Sequence, residues 1–251
     1  MIIHIPHSSR EIPRPYRAQF DLDDAALAAE ISRATDWYTD ELFECDTATA
    51  VIFPVSRILV DVERFTDDRQ EPMARVGRGV LYTHTVEGRP MRAAPDGESR
   101  TRLVHDYYAP HHLRLTHAVD RELEVQGRTL IVDGHSFPDT PWPIEMLQNL
   151  DRPDICIGCD EYHTPAVLVA AARDHFQSQG YSVDINRPYA GALVPLKYYQ
   201  VDRRVQSIMI EVNRRLYLDE ATGAKTSSFE KIRNAVRVCL DCLDNTSRGA
   251  A

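Results

Sequence analysis

No stretch at the start of this chain pairs a basic segment with an apolar one. The opening reads MIIHIPHSS, so no secretory signal is expected. The longest apolar runs fall far short of the roughly 20 residues a membrane-spanning helix needs. No Gly/Ser/Pro-rich linker separates two halves, and neither an internal repeat nor a low-complexity tract is evident. The 251 residues are therefore read as one domain spanning 1–251, long enough for a substantial buried core. Positive charge is scarce: 29 Lys and Arg face 38 Asp and Glu, a net charge of −9. That argues against a broad nucleic-acid footprint. It leaves room for an acidic small molecule, because local arginines set the field inside a cleft. Five cysteines, an odd number, in a chain without a signal predict free thiols in the reducing cytoplasm. Nothing in the residues fixes an oligomeric state.

What is present is an alternation of strands and helices. Met1 to Ile5 reads as a short buried strand ending at Pro6. Residues 23–44 carry helical spacing (Leu27, Ile31, Ala34, Leu42) with an interruption near Asp36. Residues 51–62 are rich in β-branched residues and predict two strands, or one bulged strand, split by Pro54. Residues 66–96 lack periodicity and predict a long surface excursion of functional kind, with a short strand at 79–83. Helical spacing over 99–126 is interrupted by Pro110. Strands are predicted at 129–133, 154–157, 181–185 and 207–212. Helices are predicted at 165–179, with Thr164 as N-cap, and at 228–243. This order predicts an α/β fold, a largely parallel or mixed sheet covered on both faces.

In such sheets ligands collect at the carboxyl ends of strands, and reactive residues cluster there. The first strand delivers His7, the 129–133 strand Asp133 and His135, the 207–212 strand Glu211 and Asn213, and the 51–62 segment Asp61 and Arg64. Amide hydrolysis at neutral pH needs an activated water and a stabiliser for the tetrahedral oxyanion. A zinc ion held by two imidazoles and one carboxylate, with an open position, supplies both. A carboxylate that is not a ligand can then move the proton from water to the leaving nitrogen. No HExxH pair fixes two ligands on one helical turn.

Each candidate has a plainer reading. A histidine at a strand end is commonly just hydrogen-bonded, although His7 and His135 both follow apolar strands and have small polar neighbours. Glu211 interrupts the apolar run Ile208, Met209, Ile210, Val212, so its carboxylate must be paired, ligated or catalytic. An ion pair with Arg214 or Arg215 would satisfy it.

The pieces IPHSSREIP, TDWYTDELF, VSRILVDVERF, YYAPHH, LIVDGHSFP, DICIG, VDINRPYAG and IEVNRRLYLDE, in this order over residues 2–220, resemble the N-formylglutamate amidohydrolase family. The resemblance implies a zinc-exopeptidase-like (phosphorylase/hydrolase-like) fold, a three-layer α/β/α sandwich with a central mixed sheet. It implies hydrolysis of N-formyl-L-glutamate to formate and glutamate, a late step of histidine breakdown, with one Zn2+ per chain. His7 and His135 correspond to the metal histidines, and Glu211 falls where related exopeptidases carry the carboxylate base. Asp61, Glu63 and Arg64 sit on a DxNR-like motif in which Glu63 replaces the expected Asn and Arg64 is retained. Asn186, Arg187, Pro188, Tyr189 and Gly191 match the family's Asn-x-Pro-Tyr-x-Gly loop beside the substrate. The third ligand is open between Asp36, which is preferred, and Glu11; Asp36 also reads as a helix N-cap.

The implied substrate carries two carboxylates, which bidentate arginines recognise well. Arg64 and Arg187 are the first candidates, with Arg57 and Arg78 behind them. Two other signals carry less. Cys156-x-x-Cys159 and Cys239-x-x-Cys242 have zinc-site spacing, but the second pair marks a helix face and the first lies along a strand. His111 and His112 face different directions on a helix, one expected at the active-site mouth and the other in solvent. A related enzyme with another amide substrate is the nearest alternative function, and a binding protein without turnover the next.

Overall fold

The computed structural model describes residues 1–145 and 147–249. In chain order the elements are β1 (Ile2–Ile5), α1 (Arg14–Arg17), α2 (Asp24–Ala34), α3 (Thr39–Leu42), β2 (Thr49–Ile52), α4 (Gly97–Leu103), α5 (Ala109–Gln126), β3 (Thr129–Phe137), β4 (Ile155–Gly158), α6 (Ala166–Ser178), β5 (Val183–Ile185), β6 (Val205–Asn213), β7 (Leu218–Asp219), β8 (Ala224–Lys225) and α7 (Phe229–Gly249). The central sheet has six strands in the order β2-β1-β3-β6-β4-β5. All neighbouring pairs are parallel except β4 and β6. The mixed α/β sheet predicted from the residue order is the one observed. Among the described residues no helix is long and apolar enough to cross a membrane.

Strand alternation divides the sheet into two chemically different faces. One face carries Ile3, Ile5, Leu130, Val132, Ile208, Ile210 and Val212, packed against Leu168, Ala172 and Phe176 of α6 and the apolar stripe of α7. The opposite face begins in the same manner: Ile2, Ile131 and Val205 pack on Leu115, Ala118 and Val119 of α5. Two residues further along each strand it turns polar, with His4 opposite Asp133 and His135 opposite Glu211. That half-face is where chemistry can happen, because apolar burial on the rest of the sheet fixes its register.

Several sequence expectations are corrected here. β3 and β6 run to Phe137 and Asn213, so His135 and Asn213 lie within strands rather than just beyond the predicted ends at 133 and 212. Only Thr49–Ile52 of the 51–62 region is strand; beyond Pro54 the chain folds inward and buries Val55, Ile58, Leu59, Val60 and Val62. Residues 66–96 form a surface excursion only in part: most of 66–76 and all of 87–90 are exposed, while 78–82 are buried. Val80, Leu81, Tyr82 and Met91 join those side chains and Leu27 of α2 in a second core, without a strand at 79–83. Pro110 does not break its helix, because a π-helical turn over Val104–Tyr108 leads into α5 and absorbs the missing N–H. Pro165, not Thr164, caps α6; the Thr164 hydroxyl donates to the Ser207 carbonyl at 2.6 Å instead. The five cysteines are free, and Cys239 packs in the α7 core.

The loop after β5 lies against β4 at Gly158. A Cβ there would stand 2.3 Å from the Gly191 carbonyl oxygen and 2.3 Å from Met209 Cε. Backbone cannot swing aside as a side chain can. Gly158→Ala is therefore expected to cost about 1–3 kcal/mol in urea unfolding; a cost below ~0.5 kcal/mol would mean that the loop yields freely.

Candidate metal and hydrolytic site

His7 arrives from β1 just past Pro6, on a turn whose carbonyl receives the Asp36 N–H at 3.0 Å. That bond ties the gap between α2 and α3 to the end of β1. Tyr38, in the left-handed region at φ 59°, turns the chain sharply there and leaves Asp36 pointing inward. Asp36 caps no helix: its Oδ2 lies 3.0 Å from His135 Nδ1 and 3.6 Å from His7 Nδ1. Glu11 is exposed on the surface. The structure thus brings His7, Asp36 and His135 together, all nearly fully buried.

Carboxylates surround the two imidazoles. His7 Nε2 meets Asp61 Oδ1 at 2.9 Å, which leaves Nδ1 buried and without a hydrogen-bond partner. His135 Nε2 stands 3.1 Å from Asp133 and 3.3 Å from Glu63 and is also unpartnered. His7, Glu63 and His135 offer ligand atoms within 4.8 Å of one another, and so do His4, Glu63 and Asp133. Burial opposes protonation of His135, but the charges of Glu63 and Asp133 and its close contacts with Asp133 and Asp36 overcome it and raise its pKa well above the usual range. Burial alone would raise the Asp36 carboxyl, yet its contacts with His135 and His7 and the charges of His7 and Arg57 hold it far below its usual range. The cluster demands a cation. Orphaned imidazole nitrogens among buried carboxylates fit a divalent metal, which takes the place of a proton there.

Asp61 is the hub of the supporting contacts. It receives His7, the Glu63 N–H at 2.9 Å, Arg57 Nη2 at 2.9 Å and the Tyr82 hydroxyl. A carboxylate behind a ligating histidine fixes its tautomer and ring plane. Asp61→Asn is expected to weaken metal affinity about 10–100-fold, read by competition with a chromogenic chelator. Unchanged affinity would mean that His7 is oriented by something else.

Glu211 faces His135 across the strand pair, 7% exposed, with Oε2 buried and unpartnered. Burial, chiefly, and the nearby charges of Asp36 and Glu63 push its pKa up to about 8 against the pull of His135 and Arg57. The expected ion pair is absent: Arg214 goes to Asp36 at 3.2 Å, and Arg215 to Asp139 and Asp154 at 2.7 and 2.8 Å. A buried carboxyl with a raised pKa and no ion pair is what a general base near neutral pH requires.

The arginines divide by commitment. Arg57, Arg78 and Arg214 are largely engaged with Asp61, Glu30 and Asp36. Arg64 is partly exposed, its Nε lacks a hydrogen-bond partner, and its nearest carboxylates, Asp61 and Glu71, are 3.8 and 3.9 Å away. Arg187 is exposed and its Nε donates to Asp184 at 2.7 Å, so it is not brought into the cluster. Asn186 builds its loop: its Oδ1 accepts from the Cys159 N–H at 2.8 Å and from the Gly191 N–H at 3.4 Å. Tyr189 belongs to the site wall. Its carbonyl accepts from the thiol of Cys156, the strand partner of Glu211, and its hydroxyl donates to Glu145 at 3.1 Å.

Two participants carry no expectation from the sequence: His4, whose Nε2 meets His111 Nε2 at 2.8 Å, and Arg214 in its role at Asp36. His111 is buried rather than at a mouth, and His112 is not solvated, since its Nε2 meets the Val62 carbonyl at 2.8 Å. A His inside a short apolar strand, with partners on β3 and α5 more than a hundred residues away, gives no local signal. A cleft of about 610 Å³ between β2 and α5, lined by Arg114, His117 and Arg121, contains none of the cluster residues.

Fold and site together define a class: an α/β protein whose central mixed sheet carries buried imidazoles, carboxylates and one unpaired glutamate on a single polar half-face. Within that class the chain belongs to the N-formylglutamate amidohydrolase family, which it matches over residues 1–218. It is 26% identical over 250 residues to N-formylglutamate deformylase of Pseudomonas aeruginosa, covering 92% of this chain and 90% of that one. It is 25% identical over 233 residues to N-formylglutamate deformylase of Pseudomonas putida, covering 88% and 82%. In structure it is similar to N-formylglutamate amidohydrolase of Ralstonia eutropha JMP134, with a TM-score of 0.84 at 22% identity over 99% of this chain and 94% of that one. A gene product of Agrobacterium tumefaciens shares the fold with a TM-score of 0.69 at 18% identity, covering 97% and 91%.

Proposed function

We propose that this protein hydrolyses the amide bond of N-formyl-L-glutamate to formate and L-glutamate, in the cytoplasm and as a late step of histidine breakdown. The observation that carries the chemistry is Glu211, buried and uncompensated beside the imidazole–carboxylate cluster. His7, Asp36 and His135 would hold one zinc ion, and Asp61 and Arg214 would keep His7 and Asp36 in place. When bound, such an ion polarises the scissile carbonyl and lowers the pKa of water.

The remaining work falls to the chain. Glu211 takes a proton as the water oxygen adds to the formyl carbon, then returns it to the leaving nitrogen as the C–N bond breaks. Arg64 offers a guanidinium to a substrate carboxylate, and the Tyr189 loop closes the wall beyond Glu211. Asn186 and Arg187 contribute through that loop's shape and rim rather than from within the cluster.

One observation favours a second reading. Glu63 places a carboxylate 3.3 Å from His135 Nε2, where the motif's amide would be neutral, and this added negative charge disfavours a second substrate carboxylate in the site. A related N-acyl amino acid with one carboxylate suits that field. The test is formate or acetate release from N-formyl-L-glutamate, N-formylaspartate, N-formylmethionine and N-acetylglutamate, with and without a chelator. Chelator-sensitive turnover fastest on N-formyl-L-glutamate is expected. Inert formylglutamate with an active monocarboxylate would replace the first reading by the second.

A further inference from the structure

The carboxylate of Glu63 is the least explained group in the site. It is 15% exposed and lies 3.3 Å from His135 Nε2, 3.7 Å from His7 Nδ1 and 3.8 Å from His4 Nδ1. None of its oxygens takes a hydrogen bond from the described residues. A carboxylate so placed is either a liability or a ligand. On its far side from His7 stand His4 and Asp133, register partners on β1 and β3, with His4 Nδ1 at 2.7 Å from Asp133 Oδ1. The unpartnered, buried Nε2 of His135 points to the same spot, 3.1 Å from Asp133.

We propose that His4, Glu63 and Asp133 form a second divalent-cation site beside the His7–Asp36–His135 centre, with Glu63 shared between the two. The ligand set is one imidazole and two carboxylates, suited to zinc, manganese or cobalt. The support behind it is in place: His4 Nε2 is hydrogen-bonded to His111 Nε2 at 2.8 Å, as the outer nitrogen of a ligating histidine usually is. A cation on Nδ1 fixes His4 as the tautomer that donates to His111. His111 Nε2 then accepts that bond.

Carboxylate-bridged pairs of ions about 3.5–4 Å apart are a known means of clamping both oxygens of a hydrolytic step.

The test is metal stoichiometry, not turnover. Apo protein is titrated with Zn2+, and separately with Mn2+, by calorimetry and by equilibrium dialysis. Two ions per chain are expected for the wild type, and one for Glu63→Asn and for Asp133→Asn. Saturation of the wild type at one ion, or two ions retained in both variants, overturns the second site. If Asp133→Asn is unfolded by circular dichroism, Glu63→Asn decides, since Glu63 makes no hydrogen bond whose loss could unfold the chain. Because the proposal extends the metal centre of the proposed function, the two fail differently: one ion with formate release intact removes only the second site, while no ion at all removes both.

Discussion

Glu211→Gln is expected to keep the fold and the metal content while lowering amide hydrolysis by roughly 10²–10⁴-fold, the usual range for removing a positioned general base. The substitution is nearly isosteric and leaves the contacts of His135 with Asp36 and Asp133 untouched. What is lost is the ability to take a proton. A second measurement separates this from mere loss of structure. In the metal-free protein the Glu211 carboxyl titrates at about 8 rather than 4.5, because burial disfavours its charge. A raised folded pKa means that this residue penalises the fold progressively as pH rises from about 4.5 through 8, and not at all below 4.5. Gln carries no such penalty. The metal-free variant should therefore match the wild type at pH 4.5 and become the more stable of the two above pH 8, by at most about 5 kcal/mol from a shift of this size. Turnover within threefold of the wild type would remove Glu211 from the mechanism; equal stability at both pH values would show that its carboxylate finds a partner.

How much of this was legible in the residues depends on distance along the sheet. His135 and Glu211 interrupt apolar strands and His7 directly follows one, so the cost of burying them announces them locally. Asp36 sits at a visible break in helical spacing. Glu63 and Asp61 were visible as a motif, but their convergence on His7 was not, because the 53–62 segment has β-branched composition and folds as buried turns. Its hydrogen bonds go to distant partners, such as the Asp61 N–H to the Val80 carbonyl at 2.8 Å, which no local pattern encodes. The buried part of residues 66–96 was misread for a related reason: Val80, Leu81, Tyr82 and Met91 are buried without periodicity, under Arg78 and Arg92, whose guanidiniums lie over the Tyr82 and Phe20 rings at 3.9 and 4.9 Å. Charged side chains serving as a roof over a core look like surface when read one residue at a time. The pairing of His4 with Asp133 required the strand order itself, since β1 and β3 are separated by more than a hundred residues.

Arg214→Met is expected to give the largest loss of stability, about 3–5 kcal/mol, the range for removing one partner of a buried ion pair. The guanidinium is 2% exposed and satisfies three groups at once: Nη2 to Asp36 Oδ1 at 3.2 Å, Nη1 to the Arg33 carbonyl at 2.9 Å, and Nη2 to the Ser136 carbonyl at 3.3 Å. These acceptors come from the end of α2, the turn after it and β3, so one side chain pins the candidate ligand Asp36 to the strand that carries His135. Met fills much of the volume but takes this donor from Asp36 Oδ1 and from two carbonyls. For a chain of this length such a loss corresponds to a fall in Tm of roughly 6–20 °C. Arg57, 3.7 Å from the same carboxylate, remains as a weaker partner and should limit the damage. Removing it as well in Arg57→Met/Arg214→Met tests that directly: a double-mutant cycle should yield a coupling of about 1 kcal/mol or more, since both arginines share Asp36. A loss below ~1 kcal/mol in Arg214→Met, with metal affinity unchanged, would mean that water enters behind Asp36 and that this arginine does not hold the centre together.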